Sequence, residues 1–322
     1  MKKKLDSVIL VQIDAEKGEG IELKDRYNVK GYPTFILANE RGEAISRWWG
    51  YSKEMFFEEL DLGFSDLTTI SEKEIRYKSE PDAKTARILA SYYNTLGEMK
   101  KAASLYEDAA KYDPNNDYAV ELFQIYYSGL RGEVFTLEEV RAMASKAVHS
   151  ESVDADTKTQ IFAQMTNRMK AGNTDEKMLD FLKEGYTHLQ DHQETAPGWA
   201  KNALSISYAL LIEKDEKKAV ELKKASLPEG WKNNASDING FSWWCFENKI
   251  NLKEADQLGR KAVKLAQPGR EKAMILDTVA EIVNLIGFPE DSVGLMEMAI
   301  KEDPDDEYYK KQLERFRKLE KR

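Results

Sequence analysis

One set of small and aromatic residues occurs twice in this chain, 190 residues apart. The first copy begins at Ala90 and the second at Ala280, and both end in Asp-Pro. Matching positions are Ala90 and Ala280, Tyr93 and Val283, Gly97 and Gly287, Ala102 and Ser292, Tyr106 and Met296, Ala109 and Ala299, and Asp113-Pro114 and Asp303-Pro304. Small residues let two helices approach closely, and proline ends a helix. The self-match therefore predicts a helical repeat architecture in which each unit packs on its neighbours.

Between the two copies, small or apolar residues recur in pairs seven positions apart. The six pairs are Ala102 and Ala109, Val140 and Ala147, Met178 and Gly185, Ala219 and Ser226, Ala255 and Ala262, and Ser292 and Ala299. This pattern predicts six helix pairs over residues 83–304 and resembles the tetratricopeptide repeat (TPR). Residues 305–322 form a charged segment with Tyr309, Leu313 and Phe316 on one helical side, which predicts a helix that caps the end of the repeats.

The first 63 residues have a different pattern. Val8–Ile13 is a continuous apolar run that ends at Asp14, which predicts a strand buried on both faces. A short helix to Tyr27 follows, and apolar segments on both sides of residues 39–42 predict a β-hairpin. Ser52 is a suitable N-cap for an amphipathic helix with Met55, Phe56, Leu60 and Leu62 on its apolar side.

Within this region, Val29-Lys-Gly-Tyr-Pro-Thr-Phe35 and Gly50 resemble the second half of a thioredoxin-like domain. In that family the catalytic Cys-x-x-Cys precedes this half, and the sequence lacks it. The resemblance implies that the Tyr32–Pro33 peptide bond is cis. It also implies that Tyr32, Pro33 and Thr34 form a rim that binds an extended substrate segment. A trans proline at the start of an edge strand is the alternative.

The predicted fold class is α/β plus all-α: a partial thioredoxin-like sheet (strand, helix, β-hairpin, helix) followed by an α-solenoid of TPR-like helix pairs. The predicted domains are a partial thioredoxin-like domain over residues 1–63, a polar linker over 64–82, the helix pairs over 83–304 and the cap over 305–322. In the thioredoxin-like family, the central strand would lie between the strand predicted for Val8–Ile13 and the first strand of the predicted hairpin. Its absence indicates either that Met1 is an internal methionine of a longer product or that the module is degenerate and covered by the helical domain.

Charge and hydropathy narrow the classes of partner. A net charge of −9 and a pI near 5.2 oppose non-specific attraction to nucleic acid or to an anionic membrane. No apolar run approaches the roughly 18 residues that a membrane span needs. The run after Lys2–Lys4 is too short for a signal peptide, so the compartment stays open. A periplasmic or cell-envelope location is what the resemblance allows if a signal lies upstream.

Few residues suggest a chemical site. Cys245 is the only cysteine, so the chain cannot form an intramolecular disulfide, and its apolar neighbours predict a core position. His188 and His192 have the i, i+4 spacing of metal ligands, but a solvated helix end is favoured because no third ligand is apparent. The tryptophans at 199, 231, 243 and 244 suggest either core packing, which their helical spacing favours, or a ligand groove. No cofactor motif is found.

Two functional hypotheses remain. The first is a thioredoxin-like protein with TPR repeats, derived from a thiol–disulfide oxidoreductase that acts on protein cysteines. Such a protein would be active if an upstream Cys-x-x-Cys segment exists, whereas the sequence as given lacks the dithiol and is expected to be inactive in exchange. The second is a non-enzymatic adaptor that binds proteins through the repeats. In the first helix pair the groove positions hold Arg87, Ser91 and Asn94, whereas the last pair holds Asp277, Glu281 and Asn284. The C-terminal part of the groove is therefore expected to prefer basic or neutral peptides.

Overall fold

The structure, a computed structural model, describes residues 8–320 of the chain. Sixteen α-helices and two β-strands lie within these residues. In chain order they are α1 Glu19–Arg26, β1 Thr34–Ala38, β2 Ala44–Trp49, α2 Lys53–Phe64, α3 Ile70–Ser79, α4 Ala83–Thr95, α5 Met99–Tyr112, α6 Ala119–Gly129, α7 Leu137–Val148, α8 Ala155–Thr166, α9 Glu176–Asp191, α10 Gly198–Leu211, α11 Glu216–Ala225, α12 Ala235–Asn248, α13 Leu252–Leu265, α14 Arg270–Leu285, α15 Pro289–Glu302 and α16 Glu307–Glu320. Single turns of 3-10 helix occupy Leu130–Gly132 and Trp231–Asn233.

The described residues form two compact units, one ending at Ser152 and the other beginning at Val153. This boundary lies inside the segment 83–304 that was assigned to one repeat domain. The domain limits at 63, 82 and 304 follow from the sequence resemblance and stay predictions.

The strand predicted for Val8–Ile13 is wrong. The segment adopts no regular structure, and Ile9 and Leu10 are 93% and 69% exposed. A strand is stabilised by backbone hydrogen bonds to a neighbouring strand. Within residues 8–320 the sheet contains only β1 and β2, so no strand is present to pair with this apolar run.

The predicted hairpin and the helices on both sides of it are confirmed. Strands β1 and β2 pair antiparallel, from Thr34 opposite Trp49 to Ala38 opposite Ala44. Asn39 and Gly42 close the turn: the Asn39 side-chain oxygen accepts hydrogen bonds from two backbone N–H groups of the turn, and Gly42 has a φ of 73°. Ser52 caps α2 by accepting a hydrogen bond from the Met55 N–H at 3.1 Å.

Residues 64–82, predicted as a polar linker, contain a helix that the sequence pattern did not predict. Thr69 and Glu72 form a capping box at the start of α3. Lys73 on this helix is fully buried, and its Nζ donates hydrogen bonds to the backbone oxygens of Asp66 and Thr68. Tyr77 donates a hydrogen bond to Asp108 on α5 at 2.9 Å, which joins α3 to the helices that follow.

The six predicted helix pairs are present as consecutive helices from α4 to α15. All twelve residues of the seven-residue pairs lie on α5, α7, α9, α11, α13 and α15 or, for Ser226, at the C-cap of α11. Each is buried except Ser226, which is half-buried. The predicted burial of Ala90, Ala109, Ala280 and Ala299 is confirmed, because none of them has exposed surface.

Glycine has a steric role at two of the helix contacts. A Cβ added at Gly185 on α9 would lie 2.7 Å from ring atoms of Phe162 on α8. A Cβ at Gly259 on α13 would lie 2.7 Å from Val279 on α14. Both distances are far shorter than a normal carbon–carbon contact, so these helices approach as closely as they do because no side chain intervenes.

The predicted C-terminal helix is present as α16. Its apolar side packs on α14 and α15: Phe316 is fully buried, Tyr309 is 5% exposed, and Leu313 contacts the same cluster. The cluster also contains Leu276 and Met296. The helix therefore covers apolar surface at the end of the last helix pair, as its sequence pattern predicts.

Candidate functional site

The three residues predicted as a substrate rim lie together at the start of β1. The Tyr32–Pro33 peptide bond is cis. Tyr32 is 57% exposed, Pro33 is exposed and Thr34 is half-buried. The Thr34 hydroxyl donates a hydrogen bond to the Gly31 backbone oxygen at 2.6 Å, so this side chain is held against its own chain. The exposed residues of the rim are therefore Tyr32 and Pro33.

The outer edge of β1 carries backbone groups without a strand partner. The Gly50 N–H donates to the Pro33 oxygen at 3.0 Å, so Pro33 and Gly50 are a hydrogen-bonded pair. Because hydrogen-bonded and non-hydrogen-bonded pairs alternate in an antiparallel ladder, Phe35 and Leu37 also bond to β2. The backbone groups of Thr34 and Ile36 therefore point away from β2. No other strand among residues 8–320 pairs with them.

Aromatic side chains surround this end of the hairpin. Phe35 stacks on Trp48 with ring centroids 5.5 Å apart, and it contacts Phe56 at 5.0 Å and Tyr51 at 6.2 Å. Trp48 is buried, but Tyr51 is 64% exposed and Trp49 is 37% exposed. We name the exposed set of Tyr32, Trp49 and Tyr51 the aromatic rim. Exposed aromatic residues beside an unpaired strand edge are typical of a binding surface.

The hairpin is fixed by buried polar contacts. Arg47 on β2 is 2% exposed, and its guanidinium donates hydrogen bonds to the backbone oxygens of Tyr27 and Asn28. Burial lowers the pKa of Arg47. On the helical side, Arg87 donates to Glu59 at 3.2 Å. Burial raises the pKa of Glu59, and the charge of Arg87 opposes this rise.

The expectation that Arg87 and Ser91 line an open groove is therefore corrected. Arg87 pairs with Glu59 on α2, and the Ser91 hydroxyl donates to the Arg47 backbone oxygen at 3.0 Å. Both side chains hold the N-terminal elements on α4. Asn94, the third of these positions, is half-buried.

The acidic positions of the last helix pair are also covered by the chain itself. Asp277 and Glu281 are 6% and 8% exposed. Tyr308 donates to Asp277 at 3.2 Å, and Arg315 donates to Glu281; both partners lie on α16. Burial, with the nearby Glu281 charge, raises the pKa of Asp277 to about 6. The expectation that this part of the groove prefers basic or neutral peptides is corrected, since Tyr308 and Arg315 of α16 already bind the two carboxylates.

The surroundings of Cys245, His188 and His192 are those of residues that stabilise the fold. Cys245 has no exposed surface, as predicted for a core cysteine, and burial raises the pKa of its thiol to about 12. The rings of His188 and His192 stack 4.3 Å apart, and a nitrogen of each lies within 3.0 Å of a backbone oxygen. Among residues 8–320, no three His, Cys, Asp or Glu side chains are grouped as metal ligands would be.

The second unit contains a cavity that was not predicted from the sequence. It has a volume of about 130 Å³ and lies among α8, α10, α11 and α12. Lys223 and Trp244 line it, together with Lys170 and Asn248.

The four tryptophans that suggested either core packing or a ligand groove differ in burial. Trp231 is buried, and Trp243 and Trp244 are half-buried. Trp199 is 48% exposed, so core packing is wrong for Trp199.

Every helix within residues 8–320 is too short or too polar to span a lipid bilayer.

The sequence matches no protein-family model and no curated protein sequence. The likeness to thioredoxin-like and TPR proteins therefore depends on the residues quoted above.

Proposed function

We propose that this protein binds extended polypeptide segments at the outer edge of β1. The observation that carries the proposal is the unpaired edge at Thr34 and Ile36, which lies directly beside the aromatic rim. An extended peptide can add a strand to such an edge, where backbone hydrogen bonds supply affinity and alternate side chains supply selectivity.

The edge suits strand addition in its details. Thr34 and Ile36 each present one N–H and one oxygen on the same side of β1, spaced to bond one extended segment. Pro33 has no N–H, so the donors of this edge begin at Thr34. Tyr32 and Tyr51 offer apolar area with a polar hydroxyl, which fits a segment that is partly apolar.

This proposal agrees with the rim that the thioredoxin-like resemblance implies, with Tyr32, Pro33 and Thr34 as its substrate-binding residues. The TPR-like helix pairs are proposed to gather further protein partners. Thiol–disulfide exchange requires an attacking thiolate and a resolving cysteine. The single thiol of this sequence is buried with a raised pKa, so the function proposed is holding a polypeptide.

Backbone hydrogen exchange tests the site directly. The probe is reduced, carboxymethylated lactalbumin, which stays unfolded and has no free thiol. Binding should slow exchange of the Thr34 and Ile36 amides, while the Phe35 and Leu37 amides, already bonded to β2, should change little. Protection that is absent, or that falls only on other elements, would contradict strand addition at β1.

Side-chain variants give an independent measurement. A Tyr32→Ala, Tyr51→Ala double variant should weaken binding of the same probe at least fivefold in fluorescence anisotropy, because it removes the two most exposed of the three rings of the aromatic rim. Tyr112→Ala is the matched control, since Tyr112 is likewise exposed, at 40%, but lies on α5 and is not part of the aromatic rim. Equal affinity of all three proteins would exclude the aromatic rim.

A further inference from the structure

The cavity in the second unit has one apolar wall and several polar groups. Ile206, Leu210 and Leu211 of α10 form the apolar wall, and all three are largely buried. Its volume of about 130 Å³ is well above the space that one water molecule requires. The cavity can therefore accept a group larger than a single solvent molecule.

Lys223 on α11 is a cation without a counterion at this cavity. Its Nζ has no ion-pair or hydrogen-bond partner among residues 8–320, and it lies 5.9 Å from the centre of the Trp244 ring. Neighbouring lysines differ: Lys224 pairs with Glu254 at 2.6 Å, and Lys218 pairs with Glu213 at 2.7 Å. Lys223 is half-buried, and a charge that burial removes from water is normally paired.

The electrostatic surroundings of Lys223 also lack an acid. Burial lowers the pKa of Lys223, and the charge of Lys170 lowers it further, whereas the group that opposes this is the Cys245 thiol. The thiol is neutral at physiological pH because its own pKa is raised to about 12. Lys170 is compensated by Glu247 at 2.6 Å. The cavity is thus left with one uncompensated positive charge.

The wall opposite α10 is held in position by hydrogen bonds. Asn248 is 4% exposed; its amide donates to the Trp244 backbone oxygen at 2.9 Å and accepts from the Ala171 N–H at 3.1 Å. The Trp244 indole N–H has no hydrogen-bond partner among the described residues, and Trp244 lines the cavity. A site whose groups are already positioned binds at a lower entropic cost.

We propose that this cavity binds a carboxylate attached to a short apolar chain. The carboxylate pairs with the Lys223 ammonium, and the chain lies against Ile206, Leu210 and Leu211. One uncompensated cation matches one negative charge, and the apolar wall favours a monocarboxylate over a phosphate, which carries more charge and needs more donors.

Hexanoate is the probe, and hexanamide is its neutral counterpart of similar shape. In ¹H–¹⁵N spectra the Trp244 indole signal, assigned with Trp244→Phe, should shift on titration with hexanoate and not with hexanamide. Lys223→Met should weaken hexanoate binding at least tenfold, as expected for loss of a charged hydrogen-bond partner. Lys217→Met, an exposed lysine on the same helix, is the matched control and should bind within twofold of wild type.

If hexanoate does not bind through its charge, Lys223 is a side chain that only directs its ammonium group to solvent. No indole shift with hexanoate, equal shifts with hexanamide, or unchanged affinity of Lys223→Met would each overturn the proposal. If Lys223→Met does not fold, the comparison of hexanoate with hexanamide on the wild-type protein decides alone.

A second pair of probes distinguishes the source of the carboxylate. A short N-acetylated peptide that ends in leucine is compared with its C-terminal amide. A response to the acid and not to the amide assigns the site to a polypeptide terminus, whereas a response to hexanoate alone assigns it to a free small acid. Both results retain the proposal, and absence of both responses overturns it.

Discussion

The Ser91 hydroxyl on α4 donates a hydrogen bond to the backbone oxygen of Arg47 on β2 at 3.0 Å, and the two residues are 8% and 2% exposed. This contact joins the hairpin that carries the candidate rim to the first helix pair. Ser91→Ala leaves the Arg47 oxygen without that partner, which costs about 1–2 kcal/mol. Hydrogen exchange of β2 should accelerate accordingly, and Ser128→Ala, an exposed serine in the same unit, should leave it unchanged.

Gly185 allows α9 to approach Phe162 on α8. Gly185→Ala should destabilise the second unit by about 1–3 kcal/mol, since the new methyl group must displace the ring. The control is Gly240→Ala on α12, where a Cβ meets nothing within 4 Å. There the higher helix propensity of alanine should stabilise by up to about 1 kcal/mol. Urea unfolding followed by circular dichroism measures both, and two changes of the same sign would contradict the steric role.

Stability of the second unit should fall as pH rises from 4 towards 7. Burial raises the pKa of Asp277 from 3.8 to about 6, so in this range the unfolded chain loses a proton that the folded protein keeps. The difference amounts to at most about 3 kcal/mol. Asp277→Asn keeps an acceptor for the Tyr308 hydroxyl and should reduce the pH dependence.

The measurement for Asp277 is urea unfolding at pH 5 and pH 7.5. Asp305→Asn, which removes an exposed carboxylate from the same part of the chain, is the control. An unchanged pH dependence in Asp277→Asn would show that this carboxyl does not titrate in the range assigned to it.

Asp66 has the opposite sign of pH dependence. Burial opposes its ionisation, but hydrogen bonds from Thr68 and Arg76 and the charge of Lys73 lower its pKa to about 2. The stability it contributes, about 2 kcal/mol, is present above pH 4 and lost as pH falls through 2. Asp66→Asn should destabilise the first unit at pH 7, because the buried Lys73 loses its nearby anion. Lys73→Met combined with Asp66→Asn should recover part of the loss in thermal unfolding.

Cys245 should react with a thiol reagent such as Ellman's reagent only after unfolding. Its thiol has no exposed surface, and the thiolate that would react is suppressed by the raised pKa. The same protein should not reduce insulin disulfides. Reductase turnover that Cys245→Ser abolishes would make this thiol functional and contradict the binding role proposed here.

The strand predicted for Val8–Ile13 shows where sequence pattern is insufficient. An apolar run of β-branched residues favours a strand locally, but a strand requires a neighbour that supplies its hydrogen bonds. The helix α3 was missed for another reason. Its capping box, Thr69 with Glu72, was readable in the sequence, but the polar residues around it suggested a linker.

The candidate sites were only partly predictable. The rim residues Tyr32, Pro33 and Thr34 follow from a local string, whereas the unpaired edge beside them depends on which strands are present. The cavity around Lys223 was not predictable, because its lining comes from four helices between Thr166 and Asn248 whose packing against one another is not visible in the sequence. A lysine on an amphipathic helix has the same pattern whether its counterion is present or absent.

The amino-acid sequence by itself determined the hairpin, the six helix pairs and the burial of their small residues, since these depend on turn chemistry and helical spacing over short distances. Tertiary structure decided the roles of the polar side chains. Arg87 pairs with Glu59, and Asp277 accepts from Tyr308, because helices separated in the chain bring those partners within hydrogen-bond distance. A charged residue can be identified from sequence, but its partner is fixed by three-dimensional packing, and that partner determines whether the charge is available to bind a ligand.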